Sequence, residues 1–181
     1  MLHYINVSET NLIVRFSLFE REKYFFIVLS VKKRKILGID YGDFTIGLAI
    51  FDLETDFIYP HKTIFRTKAN VLRKSIREIA EIMKTENITD IVIGLPLNAD
   101  GSEGDRVDKV KHFSNMLING LTNAGFHEPN IPIMFQDERL TTVEAKSILQ
   151  ERGIPKTEWK KNIDQIAAEI ILQDYRQVKK L

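Results

Sequence analysis

The chain has 181 residues, of which 44% are hydrophobic and 28% charged, a balance typical of one compact globular domain. It contains no cysteine, which excludes disulfide bridges and thiolate metal sites and fits a reducing cytoplasm. The net charge of +1 excludes a general attraction for polyanions, so nucleic-acid binding would depend on local clusters of Lys and Arg. Such clusters occur at residues 32–35 and at Lys68, Arg73, Lys74 and Arg77, although the same pattern is typical of solvated surfaces.

Residues 1–34 form an N-terminal extension of uncertain status. The extension contains an apolar run, YFFIVLSV at residues 24–31, that is about half the length needed to cross a bilayer. Charges of mixed sign precede the run and no small-residue cleavage site follows it, so we do not expect a signal peptide. Two interpretations stay open, an additional strand or appendage and a start of translation near Val31. We assign residues 35–181 to a single domain.

The pattern of residues 35–181 alternates between strand and helix periods. Residues 35–52 predict a hairpin with a Tyr41-Gly42-Asp43 turn, and residues 57–65 predict a third antiparallel strand that Pro60 places at an edge or a bulge. The following elements are predicted in chain order: a helix ending near Asn87, a strand at 90–95, a helix at 106–124, a strand at 131–135, a helix at 142–152, a linker at 153–161 and a helix at 163–178. This order predicts an α/β fold, a mixed sheet of three antiparallel and two parallel strands flanked by helices.

Three acidic residues lie at the ends of predicted elements. Asp40 ends an apolar strand, Glu138 follows another, and Asp164 lies at the predicted start of the last helix. Each has an ordinary structural explanation, as a turn residue, a solvated loop residue and a helix cap respectively. Topology can nevertheless bring all three to one end of the sheet, and clustered carboxylates are how proteins hold hard divalent cations.

Glu138 has an acidic neighbour, Asp137, and consecutive residues at a strand exit point to opposite faces. We select Glu138 because its longer side chain can reach across a strand end, and we assign Asp137 a supporting role. The threonine after this pair also has a structural explanation, because Thr141 and Glu144 match a helix capping box.

The glycine-rich loop at residues 94–104 precedes a helix, where backbone amides can bind phosphate. The loop lacks the Gly-Lys-Ser/Thr ending of the phosphate-binding loop of NTPases, which disfavours that class. The four histidines show neither metal-ligand spacing nor a catalytic triad arrangement.

Four motifs in order resemble the YqgF/RuvX family, whose members are described as Holliday junction resolvases and as pre-16S rRNA nucleases. The motifs are GIDYG with IGLA at residues 38–42 and 46–49, IVIGLPLNADGSEG at 91–104, DERLTTVEA at 137–145 and IDQIAAEIILQDY at 163–175. No single motif is decisive, but jointly they are specific. One departure concerns the residues before IGLA, where the family commonly has a basic residue and this chain has Asp43, Phe44 and Thr45.

The resemblance implies a ribonuclease H-like fold, a cytoplasmic location and hydrolysis of nucleic-acid phosphodiesters. It implies that Asp40, Glu138 and Asp164 are the catalytic residues and the ligands of Mg²⁺ or Mn²⁺. The residues expected to bind substrate are Arg139, Asn98, Gly101 and Thr141.

From this resemblance we expect a metal-dependent nuclease that processes the 5′ end of pre-16S rRNA. A Holliday junction resolvase acting on branched DNA and a non-catalytic RNA-binding assembly factor are the alternatives. An ATPase of the actin and sugar-kinase type is opposed by the length of the chain, because those proteins close two related domains around ATP. The expected partner is nucleic acid and not a membrane, and the expected assembly is a monomer or a homodimer.

Overall fold

The computed structural model describes residues 2–8, 11–17, 24–30, 34–67, 72–126, 131–138 and 141–181. Side chains are described from residue 34 onward, except those of residues 141–143 and 161. The chain divides into two compact units, residues 1–33 and 34–181. The first unit contains an antiparallel sheet in the order β1-β2-β3, with β1 at Leu2–Ser8, β2 at Asn11–Ser17 and β3 at Tyr24–Ser30. Residues 24–30 of the apolar run of the extension therefore form β3.

The second unit is built around a five-stranded mixed sheet. Its elements are β4 (Lys35–Tyr41), β5 (Thr45–Asp52), β6 (Phe57–Phe65), α1 (Arg73–Thr85), β7 (Ile88–Leu95), α2 (Asp105–Asn123), β8 (Ile133–Asp137), α3 (Thr141–Glu151) and α4 (Lys156–Lys179). The sheet order is β6-β5-β4-β7-β8, in which the first three strands are antiparallel and β7 and β8 run parallel to β4. This arrangement confirms the predicted fold class. Within the described part of the chain, no helix is long and apolar enough to cross a membrane.

The two faces of the sheet bury different helices because side chains alternate along each strand. Leu37 and Ile39 of β4 belong to the core formed with α1 and α2. Ile36 of the same strand belongs to a second core, which includes Ala168 and Leu172 of α4. The sheet is thus buried on both sides, which explains why β4, β5 and β7 are almost continuously apolar.

The chain direction gathers several element ends at one end of the sheet. β4, β7 and β8 are parallel, so they all finish at this end, which we call the carboxyl end. β5 begins there and β6 finishes there, because β5 is antiparallel to both of its neighbours. Functional groups in open α/β sheets commonly lie beyond the carboxyl ends of the strands.

The prediction that Pro60 marks an edge or a bulge is confirmed. β6 is an edge strand, and its register with β5 shifts between the pairs Leu48–Lys62 and Ala49–Pro60. Proline has no N–H to donate to a ladder, so an edge strand with a bulge accommodates it. The predicted end of the first helix, near Asn87, is close to the observed end at Thr85. Asn87 follows α1 with a left-handed φ of 56°, a conformation that commonly follows the end of a helix.

The predicted linker at residues 153–161 and helix start at residue 163 are wrong. α4 begins at Lys156, directly after Pro155, whose φ of −58° suits the position before a helix. The first two turns of α4 are rich in charged residues, so they lack the apolar period from which a helix is predicted. Asn162 donates to the carbonyl oxygen of Glu158 at 3.0 Å inside the helix, so the interpretation of Asp164 as a first-turn cap is also wrong.

We predict that residues 1–30 are dispensable for folding of the second unit. Among the described side chains the buried core runs from Ile36 to Tyr175, so a truncated chain beginning at Val31 keeps all of it. Thermal unfolding of this truncated chain should be cooperative, with a melting temperature within a few degrees of the full chain. Aggregation, or a large fall in melting temperature, would show that the first unit completes the core.

Candidate active site

Asp40 occupies the α4-facing side of β4 at the carboxyl end of the sheet. It pairs with Gly47 of β5, and on the other side the register places Gly94 of β7 next to it, one position beyond the Ile39–Ile93 pair. Asp40 is therefore flanked by strand positions without side chains. Burial raises the pKa of Asp40 to about 7, and the nearby carboxylate of Asp164 adds to this increase.

Glu138 follows β8 directly and extends its pairing with β7 by one residue, since its N–H donates to the carbonyl oxygen of Leu95 at 3.2 Å. Its side chain is only 7% exposed. A Cβ on Gly94 would overlap its carboxylate, so the absence of a side chain there makes room for Glu138. Burial raises the pKa of Glu138 to about 8, with the charge of Asp40 as the second cause.

Asp164 reaches the same place from the other side of Asp40. It lies on α4, and a Cβ on Gly47 would overlap its backbone carbonyl, so Gly47 allows α4 to rest directly on β5. The side chain of Thr45 is hydrogen-bonded to the Asp164 carboxylate. Burial raises the pKa of Asp164, and the bond to Thr45 opposes the increase.

The structure thus brings together the three acidic residues selected from the sequence, with Asp40 between the other two. Among the described residues, no three acidic or histidine side chains are grouped closely enough to hold a metal ion as they stand. The fit to a cation rests instead on donor chemistry and charge. All donors are carboxylate oxygens, which Mg²⁺ and Mn²⁺ prefer. Burial is the main cause of the raised pKa values, and a cation would offset both the cost of burying the negative charge and the repulsion that adds to it.

Arg106 is a residue of the site that the sequence interpretation missed. It lies in the first turn of α2, and its charge lowers the pKa of both Asp40 and Glu138, opposing their burial. The sequence did contain a signal, because the dipole of a helix favours acidic residues in its first turn. A basic residue between Asp105 and Asp108 therefore suggests a role outside the helix itself.

Arg106 also lines a cavity of about 260 Å³ at the carboxyl end of the sheet. The other lining residues are Tyr41, Gly42, Asp43, Pro96 and Lys109. Lys109 forms a salt bridge of 2.9 Å with Asp43. Asp43 is one of the residues by which the chain departs from the family pattern, and the structure places a basic side chain of α2 beside it.

The turn that carries Asp43 is held in place by contacts among Tyr41, Phe113 and Arg66. The ring of Tyr41 stacks on Phe113 of α2 with centroids 4.3 Å apart. The guanidinium of Arg66 lies 4.9 Å from the Tyr41 ring and donates to the carbonyl oxygen of Gly42. These contacts attach the turn after Asp40 to α2, which also carries Arg106.

The residues predicted to bind substrate have different outcomes. Asn98 and Gly101 lie in the exposed loop after β7, which is closed by hydrogen bonds from Gly101 N to Asn98 O and from Asn98 Nδ2 to Ser102 Oγ. Gly101 has a left-handed φ of 84°, which favours glycine. Thr141 begins α3, but its side chain and the whole of Arg139 lie outside the described residues. Their roles in substrate binding, and the capping box, stay predictions.

Comparison with known proteins places the chain in a family. The profile of the RuvX family, described as Holliday junction resolvase, matches residues 34–177. The chain belongs to the RuvX family. Membership makes it a hydrolase acting on ester bonds, of the nuclease class.

Curated relatives share about a third of the sequence over nearly their whole length. The relative from Lachnospira eligens is 35% identical over 145 residues, which cover 80% of this chain and 98% of the relative. The relative from Maridesulfovibrio salexigens is 36% identical over 141 residues, which cover 78% and 96% of the two chains. Both carry the name "Putative pre-16S rRNA nuclease".

A solved structure shares the fold. RuvC of T. thermophilus, solved in complex with a Holliday junction substrate, matches with a TM-score of 0.50. The match covers 81% of this chain and 96% of that chain at 14% identity. The likeness therefore concerns the architecture, and it confirms the expected ribonuclease H-like fold.

We predict that stability without metal falls as pH rises, and that Asp40→Asn and Glu138→Gln reduce this fall. A raised pKa means that the carboxyl group binds its proton more tightly in the folded chain than in the unfolded chain. The protonated carboxyls of Asp40 and Glu138 therefore contribute fully to the free energy of unfolding below about pH 4, and this contribution is lost as pH rises through 7 to 8. In EDTA near pH 8.5, either variant should gain about 2 kcal/mol, or about 4–8 °C in melting temperature.

The difference between variant and parent should shrink near pH 5, where the carboxyls of the folded parent are protonated. Glu158→Gln, which removes an exposed carboxylate of α4, is the control and should follow the parent. Equal melting temperatures of parent and variants at every pH would contradict the proposed burial of charge.

We also predict that Gly47→Ala disturbs the site more than the addition of one methyl group would suggest. The added Cβ would overlap the backbone of Asp164, so α4 has to move away from β5. We expect a loss of about 1–3 kcal/mol in the free energy of unfolding, measured by urea titration. Gly104→Ala is the matched control, because the nearest atom to its Cβ would be 3.3 Å away in Asn98. Similar losses in both variants would contradict close packing at Gly47.

Proposed function

We propose that the chain is a divalent-metal-dependent nuclease that processes the 5′ end of precursor 16S rRNA in the cytoplasm. The observation that carries the proposal is the convergence of Asp40, Glu138 and Asp164 at the carboxyl end of the sheet. Withdrawing three neighbouring carboxylates wholly or partly from solvent is unfavourable for folding, so their juxtaposition needs a functional reason. The site would act in a monomer or a homodimer.

We propose RNA rather than DNA as the substrate because the relatives named for RNA have the higher sequence identity. Relatives about 35% identical over nearly their whole length are named for pre-16S rRNA, whereas the junction-bound structure is 14% identical and supports the fold. A Holliday junction resolvase acting on branched DNA is the second candidate, supported by the description of the family. A non-catalytic RNA-binding assembly factor is disfavoured, because it would not need three acids brought together at one end of the sheet.

Asp40, Glu138 and Asp164 would hold the metal. Bound Mg²⁺ or Mn²⁺ supplies an activated water and neutralises charge on the phosphate. The remaining side chains bind and orient the substrate. Arg106 and Lys109 line the cavity beside the carboxylates and would contact phosphate oxygens with charge-assisted hydrogen bonds. Asn98, Gly101, Arg139 and Thr141 would position the substrate backbone.

Arg106 would have a second role that follows from its effect on protonation. Its charge lowers the pKa of both Asp40 and Glu138, while burial raises them. Ionised carboxylates are the forms that bind cations, so Arg106 favours the state that the metal requires. This role does not need direct contact with the substrate.

The decisive experiment compares Glu138→Gln with Asp137→Asn. Glu138→Gln removes the negative charge without changing size, so we expect loss of Mg²⁺-dependent cleavage and retention of fold and of most nucleic-acid binding. Asp137→Asn should cleave more slowly than the parent but measurably, because Asp137 contributes only a minor part to the raised pKa of Glu138. The substrates are a precursor 16S rRNA fragment and a four-way DNA junction, each with Mg²⁺, Mn²⁺ or EDTA.

Circular dichroism spectra of both variants provide the control for folding. Inactive Asp137→Asn with fully active Glu138→Gln would reverse the assignment of the metal ligand. Cleavage of the DNA junction but not of the RNA would favour the resolvase. Binding without cleavage of either substrate by the parent would favour the assembly factor.

A further inference from the structure

The outer surface of α1 and α2 contains a groove of about 590 Å³ that shares no lining residue with the cavity beside the carboxylates. One wall is a stripe of α1 with Arg73, Arg77, Glu81 and Lys84, all exposed and spaced at helical intervals. The opposite wall is formed by α2 and by the residue that follows it. The residues that line the groove there are Met116, Asn119, Gly120, Asn123 and Ala124, and Ile76 of α1 lines it as well. We call this surface the α1–α2 groove.

The depth of the groove depends on Gly120. A Cβ at this position would overlap the side chain of Ile76, so α1 and α2 can lie close together only because Gly120 has none. Ile76, Gly120 and the partly exposed Met116 then form an apolar floor between polar walls. An aliphatic floor of this kind can make van der Waals contact with a sugar or a base, while the walls contact charged or polar groups.

The charge of the α1–α2 groove favours an anionic ligand. The lining of the groove contains three cationic side chains, Arg73, Arg77 and Lys84, and one carboxylate, Glu81. The groove therefore carries a net charge of +2, more than the +1 of the whole chain. Glu81 lies 3.9 Å from Lys84 and partly neutralises it. The guanidinium groups of Arg73 and Arg77 form no salt bridge with any residue that the structure describes. Two such groups one helical turn apart, facing the amides of Asn119 and Asn123, are suited to phosphates.

We propose that the α1–α2 groove is a second binding site for the backbone of a nucleic acid, separate from the site of cleavage. The ligand class rests on the proposed function, whereas the location rests on the groove itself. α2 connects the two sites, with Arg106 in its first turn and Gly120 about 21 Å further along the helix axis. That separation corresponds to about six base pairs of B-form DNA and to somewhat more of the A-form duplex of RNA, which rises less per base pair, so one structured RNA can occupy both sites.

The test measures RNA affinity against salt concentration for Arg73→Gln/Arg77→Gln. Affinity for a structured precursor rRNA fragment is measured by fluorescence anisotropy in Mg²⁺, in a Glu138→Gln background that prevents cleavage. We expect about tenfold weaker binding at low salt. The slope of log affinity against log salt should become shallower by about 1.4 to 1.8, because two phosphate contacts are lost.

Two matched variants separate the groove from general charge and from folding. Lys179→Gln/Lys180→Gln removes the same charge at the far end of α4, and its slope should match the parent. Arg73→Lys/Arg77→Lys keeps the charge and should retain most of the slope. An unchanged slope in the Arg→Gln variant, or equal losses in both neutralised variants, would overturn the proposal. Binding of an acidic peptide to the groove that excludes RNA would also overturn it.

The outcome is independent of the carboxylate site. With Glu138 restored, cleavage of an oligonucleotide too short to span both sites should be unchanged in Arg73→Gln/Arg77→Gln, and cleavage of the long RNA should have a higher KM. Absence of all cleavage by the parent, together with a groove-dependent salt slope, would refute the proposed nuclease and retain the groove.

Discussion

The close approach of α4 to the sheet is the constraint on which the site depends. Positions facing α4 on three adjacent strands are glycines, namely Gly47, Gly38 and Gly94. At Gly38 a Cβ would lie 2.6 Å from Leu172, and at Gly47 it would overlap Asp164 itself. Without these side chains the helix backbone rests on the strands and carries Asp164 to Asp40. Larger residues would separate the helix from the sheet and disperse the acidic groups.

The same geometry creates an electrostatic cost that the rest of the domain must offset. Three carboxylates share one partly enclosed end of the sheet, where burial raises all three pKa values and charge repulsion adds to the increase at Asp40 and Glu138. Two layers of helices around a sheet buried on both faces supply the compensating apolar core. The single guanidinium of Arg106 lowers the pKa of two of the three acids. A site of this kind is poised to gain stability from any cation that it binds.

α2 serves two surfaces because it is long. Its first two turns present Arg106 and Lys109 beside the carboxylates, and the helix also packs against Tyr41 through Phe113. Its last turns form part of the α1–α2 groove, where Gly120 permits contact with α1. A rigid helix that links a reactive site to a basic groove gives a near-neutral chain a localised attraction for polyanions.

The periods of the strands and helices, the mixed sheet and the position of Asp40 at a strand end were predictable from the sequence, because they follow from local side-chain alternation and from the order of the elements. The sequence also favoured Glu138 over Asp137, and the structure indeed buries Glu138 against Gly94. It did not determine the start of α4, whose first turns are charged rather than apolar. The packing of Asp164, within its helix, on Gly47 and the effect of Arg106 on the carboxylates became apparent only in the folded chain. Those relationships join residues far apart in the chain, and no local pattern encodes the distance between them.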